Sequence, residues 1–157
     1  MADSALYPIF DAHPGLAAMP RAGLLQGQTP VEPLGDLPGV FLKRDDLTAA
    51  DYGGNKIRKL EYLLADAKAN GADVVITAGA VQSNHVRQTA GAASRLGLGC
   101  IGLLFSTVPN ESDAYRTSGN VLLDDIFGAD IRVFPGDANG REVFDEVLAE
   151  VVKAGRK

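Results

Sequence analysis

The sequence predicts an α/β fold with three layers, a parallel sheet with helices covering it, preceded by an N-terminal arm. Three observations lead there. From residue 55 onward, segments of helical period alternate with short branched apolar runs, the pattern of βαβ units. Glycines punctuate the junctions, and the 18 of them among 157 residues follow no repeating period, which suits tight turns and not a fibre. A chain of this length also buries roughly two thirds of its unfolded surface, enough for a packed core.

Taken in order, residues 1–39 are rich in proline and glycine and lack a sustained apolar period, so they read as an extended arm with at most a short helix. Val40-Phe41-Leu42 is a short β-favouring run that ends in Lys43-Arg44-Asp45-Asp46, a strand entering a polar turn. Asn55 is a suitable N-cap, and Ile57, Leu60, Leu63, Leu64 and Ala67 recur at helical spacing until Gly71. Val74-Val75-Ile76 is a buried strand, followed by a loop of small residues. Ser83 or Asn84 caps a second helix carrying Val86, Ala90, Ala93 and Leu96, which Gly97 ends. Residues 100–105 form the next strand, residues 114–127 one helix, and residues 131–134 a third strand. The last helix, from about Arg141, places Val143, Phe144, Val147, Leu148, Val151 and Val152 on one apolar stripe. Helical crossovers join parallel neighbours, so the three later strands are parallel. The Val40 strand then has no partner in that sheet and leaves an exposed edge.

Composition removes several classes of function. Fifteen Lys and Arg against twenty Asp and Glu leave a net charge of −5, and no long basic run offers a surface to nucleic acid or an anionic membrane. One cysteine and two histidines cannot build a disulfide framework or a Cys/His zinc site, so no metal is expected and the default compartment is the reducing cytosol. The first residues, with Asp3 and Pro8, do not spell a secretion signal, and no uninterrupted apolar run reaches membrane length. Cys100, inside an apolar strand, reads as an inert thiol.

Two segments carry chemistry. In Gly53-Gly54-Asn55-Lys56-Ile57-Arg58-Lys59 the glycines permit a tight turn. A lysine in the first helical turn faces the positive end of the peptide dipoles, which disfavours an ammonium. Lys56 placed there suits nucleophilic attack on a carbonyl carbon, while Lys59, three residues on, presents a positive charge suited to phosphate. The second segment, residues 77–85, joins a strand to a helix and gathers Gln82, Ser83, Asn84 and His85 at its end. In parallel sheets ligands collect beyond the carboxyl ends of strands, and helix starts attract carboxylate or phosphate.

With these residues in view, Lys43-Arg44-Asp45-Asp46, Gly53-Gly54-Asn55-Lys56 with Arg58-Lys59-Leu60-Glu61, and AGAVQSNHVRQ over residues 78–88 resemble the D-cysteine desulfhydrase and 1-aminocyclopropane-1-carboxylate deaminase family. These are pyridoxal-phosphate enzymes of tryptophan-synthase-β type. The resemblance covers about residues 30–150, and the wording around His85 is more similar to D-cysteine desulfhydrase; related cysteate sulfo-lyases stay open.

By that resemblance, Lys56 is the lysine that holds pyridoxal 5'-phosphate covalently and moves the Cα proton. Asn84 meets the pyridine 3-oxygen, and Lys59 meets the phosphate. Gln82, Ser83 and Asn84 receive the substrate carboxylate, with Ser83 close to the reacting carbon. The implied activity is lysis of D-cysteine to pyruvate, ammonia and sulfide, acting on a small amino acid in a homodimer of the full-length family. Residues 55–157 then form the small domain, and residues 1–54 the arm and strand of an incomplete large domain. The family's glycine-rich phosphate cup and its ring-nitrogen partner belong to a C-terminal half that this sequence lacks. The sequence is then a truncated chain of such a lyase; a non-catalytic fragment or one half of a split enzyme is the competing expectation.

Overall fold

A computed structural model describes residues 9–49, 53–110 and 112–157; the readings that fall on residues 1–8, 50–52 and 111 lie outside them. Contacts divide the chain into two compact units, Met1–Asp66 and Ala67–Lys157.

In the first unit a short helix α1 (Ile9–Ala12) and a 3₁₀ turn over Pro14–Ala18 precede strand β1 (Val31–Pro33), which pairs antiparallel with β2 (Phe41–Lys43). The Val40 run therefore has a partner, contrary to the sequence expectation. The arm supplies its own second strand, with Pro33 at the end of β1 opposite Phe41, a position where a ladder tolerates a missing N–H. Helix α2 (Ile57–Ala69) buries Ile57, Leu60, Glu61, Leu64 and Ala65, whereas Leu63 is exposed. The division between the two units falls inside this helix.

Side chains of α2 also fasten the arm. The fully buried Glu61 carboxylate accepts from the backbone N–H groups of Gly23, Leu24 and Leu25 at 3.1, 2.7 and 3.2 Å. Arg58 donates to Asp45 at 2.6 and 3.0 Å and to Thr29 Oγ1 at 3.1 Å. The Arg58 hydrogen bonds to Asp45 hold its carboxyl below the usual range.

The second unit carries a three-stranded parallel sheet in the order β3 (Val74–Ala80), β4 (Gly99–Ser106), β5 (Asp130–Pro135). Helix α3 (Asn84–Leu96) contacts β3, β4 and helix α5 (Asn120–Ile126), while α6 (Gly140–Lys153) packs on the opposite face. Alternation along β4 divides the core between the faces. Ile101 and Leu103 meet Val147 and Val151 of α6, and Leu104 meets Val86 of α3. A Cβ at Gly102 would lie 2.5 Å from Ile131 and 2.9 Å from Val86, so glycine is what lets α3 sit on the sheet. Phe105 and Phe134, register partners on β4 and β5, stack with ring centroids 5.7 Å apart.

Three sequence expectations change in this unit, and a fourth changes in the first unit. The small residues Thr77-Ala78-Gly79-Ala80, read as loop, continue β3 because each finds a ladder partner on β4, ending with Ala80 opposite Phe105. The helix expected over residues 114–127 is two, α4 (Asp113–Thr117) and α5, because Gly119 turns the chain with φ +61 and ψ −126. The stripe on α6 is only half covered. Val147 and Val151 are buried, but Phe144, Leu148 and Val152 are exposed, since the Val147–Val151 side is the one that packs on Val74, Ile101 and Leu103 of the sheet. Finally, Asn55 does not open α2, which begins two residues later, as its anchoring below explains.

Candidate active site

The lysine segment is shaped by what precedes it. Thr48, fully buried, donates and accepts through one hydroxyl. Its Oγ1 lies 2.8 Å from the N–H of Gly54, 3.0 Å from the Gly54 carbonyl and 2.9 Å from the Asp45 carbonyl. A Cβ at Gly53 would lie 2.5 Å from the Asp46 carbonyl oxygen and clash with that of Ala49, so only glycine passes this corner. Gly54 follows with φ +144. This anchoring delays the helix: Ile57 N–H bonds to the Gly54 carbonyl at 3.2 Å, and the Lys56 carbonyl accepts from Lys59 and Leu60 at 3.1 and 3.0 Å. Lys56 thus stands immediately before α2, not within its first turn as expected, and it is half-buried. Lys59 is exposed.

The second segment lies at the carboxyl end of β3. The Ser83 N–H bonds back to the Ala80 carbonyl at 2.9 Å, making a turn of three residues between strand and helix. Ser83 caps α3, its Oγ accepting from the Val86 N–H at 3.3 Å. Room for that hydroxyl exists because residue 79 is glycine, whose missing Cβ would occupy the position of the Ser83 side chain. Asn84, the first residue of α3, is exposed, and its carbonyl accepts from Gln88 at 2.8 Å. His85 Nε2 is 3.3 Å from Thr77 Oγ1 on β3. First-turn N–H groups have no carbonyl partner inside their own helix, so this end of α3 suits an anion.

Gln82 faces the other way. Its Nε2 donates to the carbonyls of Tyr115 at 2.6 Å and Ser118 at 2.8 Å, and its Oε1 accepts the Asn120 N–H at 2.9 Å. Asn120 Nδ2 returns a bond to the Gln82 carbonyl at 2.9 Å, and Arg87 Nε donates to Asn120 Oδ1 at 3.2 Å. Beside Arg87, Asp124 is fully buried, and both its carboxylate oxygens lack a hydrogen-bond partner among the described residues. Burial pushes its carboxyl up to about 7, against the opposing pull of Arg87. Burial likewise pushes the Cys100 thiol up to about 12, which fits the inert reading.

Sequence reasoning missed Thr48, Asn120, Arg87 and Asp124. The one available signal was Gly119, a helix breaker inside a predicted helix; nothing in the sequence pairs it with Gln82.

The structure thus places Lys56 at the opening of α2 in the first unit, and Gln82, Ser83 and Asn84 together on the β3–α3 turn in the second. Each motif by itself suits pyridoxal phosphate: Lys56 is an amine able to attach an aldehyde, and the start of α3 offers N–H groups to an anion.

Comparison with known proteins agrees. The chain is 50% identical over 123 residues to D-cysteine desulfhydrase of Salmonella paratyphi A, which covers 75% of this chain and 38% of that protein. It is 43% identical over 145 residues to the same enzyme of Klebsiella pneumoniae, covering 89% and 44%. A solved structure of a 1-aminocyclopropane-1-carboxylate deaminase homologue superposes with a TM-score of 0.79 at 44% identity, covering 95% of this chain and 45% of that one. O-ureido-L-serine synthase, at 23% identity and a TM-score of 0.60, shares the fold. The chain spans less than half the length of each of these relatives. The family model for pyridoxal-phosphate dependent enzymes matches residues 23–157, and the chain belongs to that family.

Proposed function

We propose that the chain is the N-terminal portion of a pyridoxal-phosphate-dependent lyase that converts D-cysteine to pyruvate, ammonia and sulfide. The observation that carries this reading is the 50% identity to D-cysteine desulfhydrase over a stretch of 123 residues, combined with the presence of Lys56, Ser83 and Asn84 at two helix starts. When bound, pyridoxal phosphate supplies an electron sink for the charge left at the substrate Cα, which lets a β-substituent leave. Lys56 Nζ would hold the cofactor and would take the substrate Cα proton. Asn84 would meet the ring oxygen, and the Lys59 ammonium would offset phosphate charge. The Ser83 hydroxyl and the first amides of α3 take the substrate carboxylate. Residues 55–157 serve as the small domain and residues 1–54 belong with the large one. The setting is the cytosol, and the complete enzyme is a homodimer that binds no nucleic acid.

A second reading has its own support: the 44% identical solved structure is a homologue of 1-aminocyclopropane-1-carboxylate deaminase, and a cysteate sulfo-lyase would use the same residues. The chain spans 38–45% of the length of these relatives, and a non-catalytic fragment or one half of a split enzyme is the remaining alternative. Mixing the protein with pyridoxal phosphate separates the lyase from the fragment. Visible absorbance that Lys56→Ala abolishes supports a lyase, and its absence overturns cofactor binding by this chain. Sulfide release from D-cysteine against ammonia release from the cyclopropane amino acid then chooses the substrate.

A further inference from the structure

We propose that Gln82 is a positioning residue: its side-chain amide pins the β3–α3 turn carrying Ser83 and Asn84 to the break between α4 and α5. This rests on the reading of Ser83 and Asn84 as the substrate and cofactor turn. A glutamine amide has two N–H donors and one carbonyl oxygen. Here both donors serve the carbonyls of Tyr115 and Ser118, and the oxygen takes the Asn120 N–H. The two donors are thereby spent, so the side chain that the sequence offered to a substrate carboxylate has no N–H left to give it. The assignment of oxygen and nitrogen is fixed by the partners, because the reverse orientation would face an oxygen toward two carbonyls.

The break is built to receive this amide. Gly119 adopts φ +61 and ψ −126, and a Cβ there would sit 2.7 Å from Gln82 Oε1. Asn120 closes the bridge from the opposite side through the Gln82 carbonyl, and Arg87, one turn into α3, holds Asn120 in place. The turn is thus fixed at both ends: by Ser83, which caps α3, and by Gln82, which is clamped to a helix break 33 to 38 residues away in sequence.

Amide hydrogen exchange on the whole chain tests the clamp without cofactor, comparing wild type with Gln82→Leu, which keeps bulk and loses every side-chain bond. Gly119→Ala is the second variant, should the first fail to fold. Val151→Ala, on the buried face of α6, is a control that destabilises the unit elsewhere. The expectation is exchange at least about tenfold faster at the amides of Ser83, Val86 and Asn120 in both clamp variants, with β4 amides following global stability alone. Val151→Ala raises exchange throughout without singling out the turn. Titration with pyridoxal phosphate, read as visible absorbance, should show several-fold weaker binding in the clamp variants and unchanged binding in Val151→Ala. Exchange at residues 83–86 that is unchanged, or that rises only in step with β4, overturns the proposal. So does a loosened turn with wild-type cofactor affinity. Wild-type protein that gives no absorbance refutes the cofactor reading, and the clamp then stands or falls on exchange alone.

Discussion

Asp124 makes a prediction whose size follows from its surroundings. Its carboxyl, fully buried on α5 with no hydrogen-bond partner among the described residues, is pushed from 3.8 to about 7, chiefly by loss of hydration, with the Arg87 charge opposing. The folded state therefore holds the proton more tightly than the unfolded chain. A raised carboxyl lends its full stability below the unfolded value, and that stability drains away as pH climbs toward the folded value. At about 1.4 kcal/mol per pH interval, keeping Asp124 ionised above about pH 7 costs the fold on the order of 4 kcal/mol. Asp124→Asn has nearly the same shape and cannot ionise. It should gain little over wild type at the acid end, and its advantage should widen by roughly 2.5 kcal/mol between about pH 5 and about pH 8. In thermal melts this is a difference that grows by on the order of 5–10 °C over that range. Because both proteins share every other titrating group, the gap between them isolates this one. A gap that is constant with pH, or an Asn variant less stable than wild type near pH 8, would refute the reasoning.

Two further outcomes concern the first unit. Thr48→Val removes the hydroxyl that bonds Gly54 at both its N–H and its carbonyl, and should lose about 1–3 kcal/mol in urea unfolding, with the same denaturant slope as wild type. Glu61→Gln replaces a carboxylate that accepts three backbone N–H groups with an amide that turns donors toward some of them. It should cost about 2–3 kcal/mol and speed proteolysis within residues 21–28; cleavage there at the wild-type rate would show that Glu61 does not hold the arm.

Local pattern made most of the second unit legible. Val74, Ile101 and Ile131 lie in runs that can only be strands, and the spacing of Val86, Ala90 and Ala93, stopped by Gly97, can only be a helix, because period and glycine conformation are properties of neighbouring residues. Lys56, Ser83 and Asn84 were visible for the same reason, each sitting where a strand or turn gives way to a helix. Elements whose existence depends on a distant partner were not legible. Val31–Pro33 becomes a strand only because Phe41–Lys43 lies opposite, and Thr77–Ala80 stays extended only because β4 completes its ladder.

The α/β class, the three parallel strands and the two motifs proposed to bear chemistry are each written in residues close together along the chain. Tertiary structure alone decided what those motifs' side chains do. Gln82 looks like a free polar group until the carbonyls of Tyr115 and Ser118 arrive beside it, and Asp124 looks like a solvated helix residue until packing removes its water. Hydrogen-bond satisfaction and desolvation are set by whatever surrounds a group in space, and sequence proximity carries no record of that.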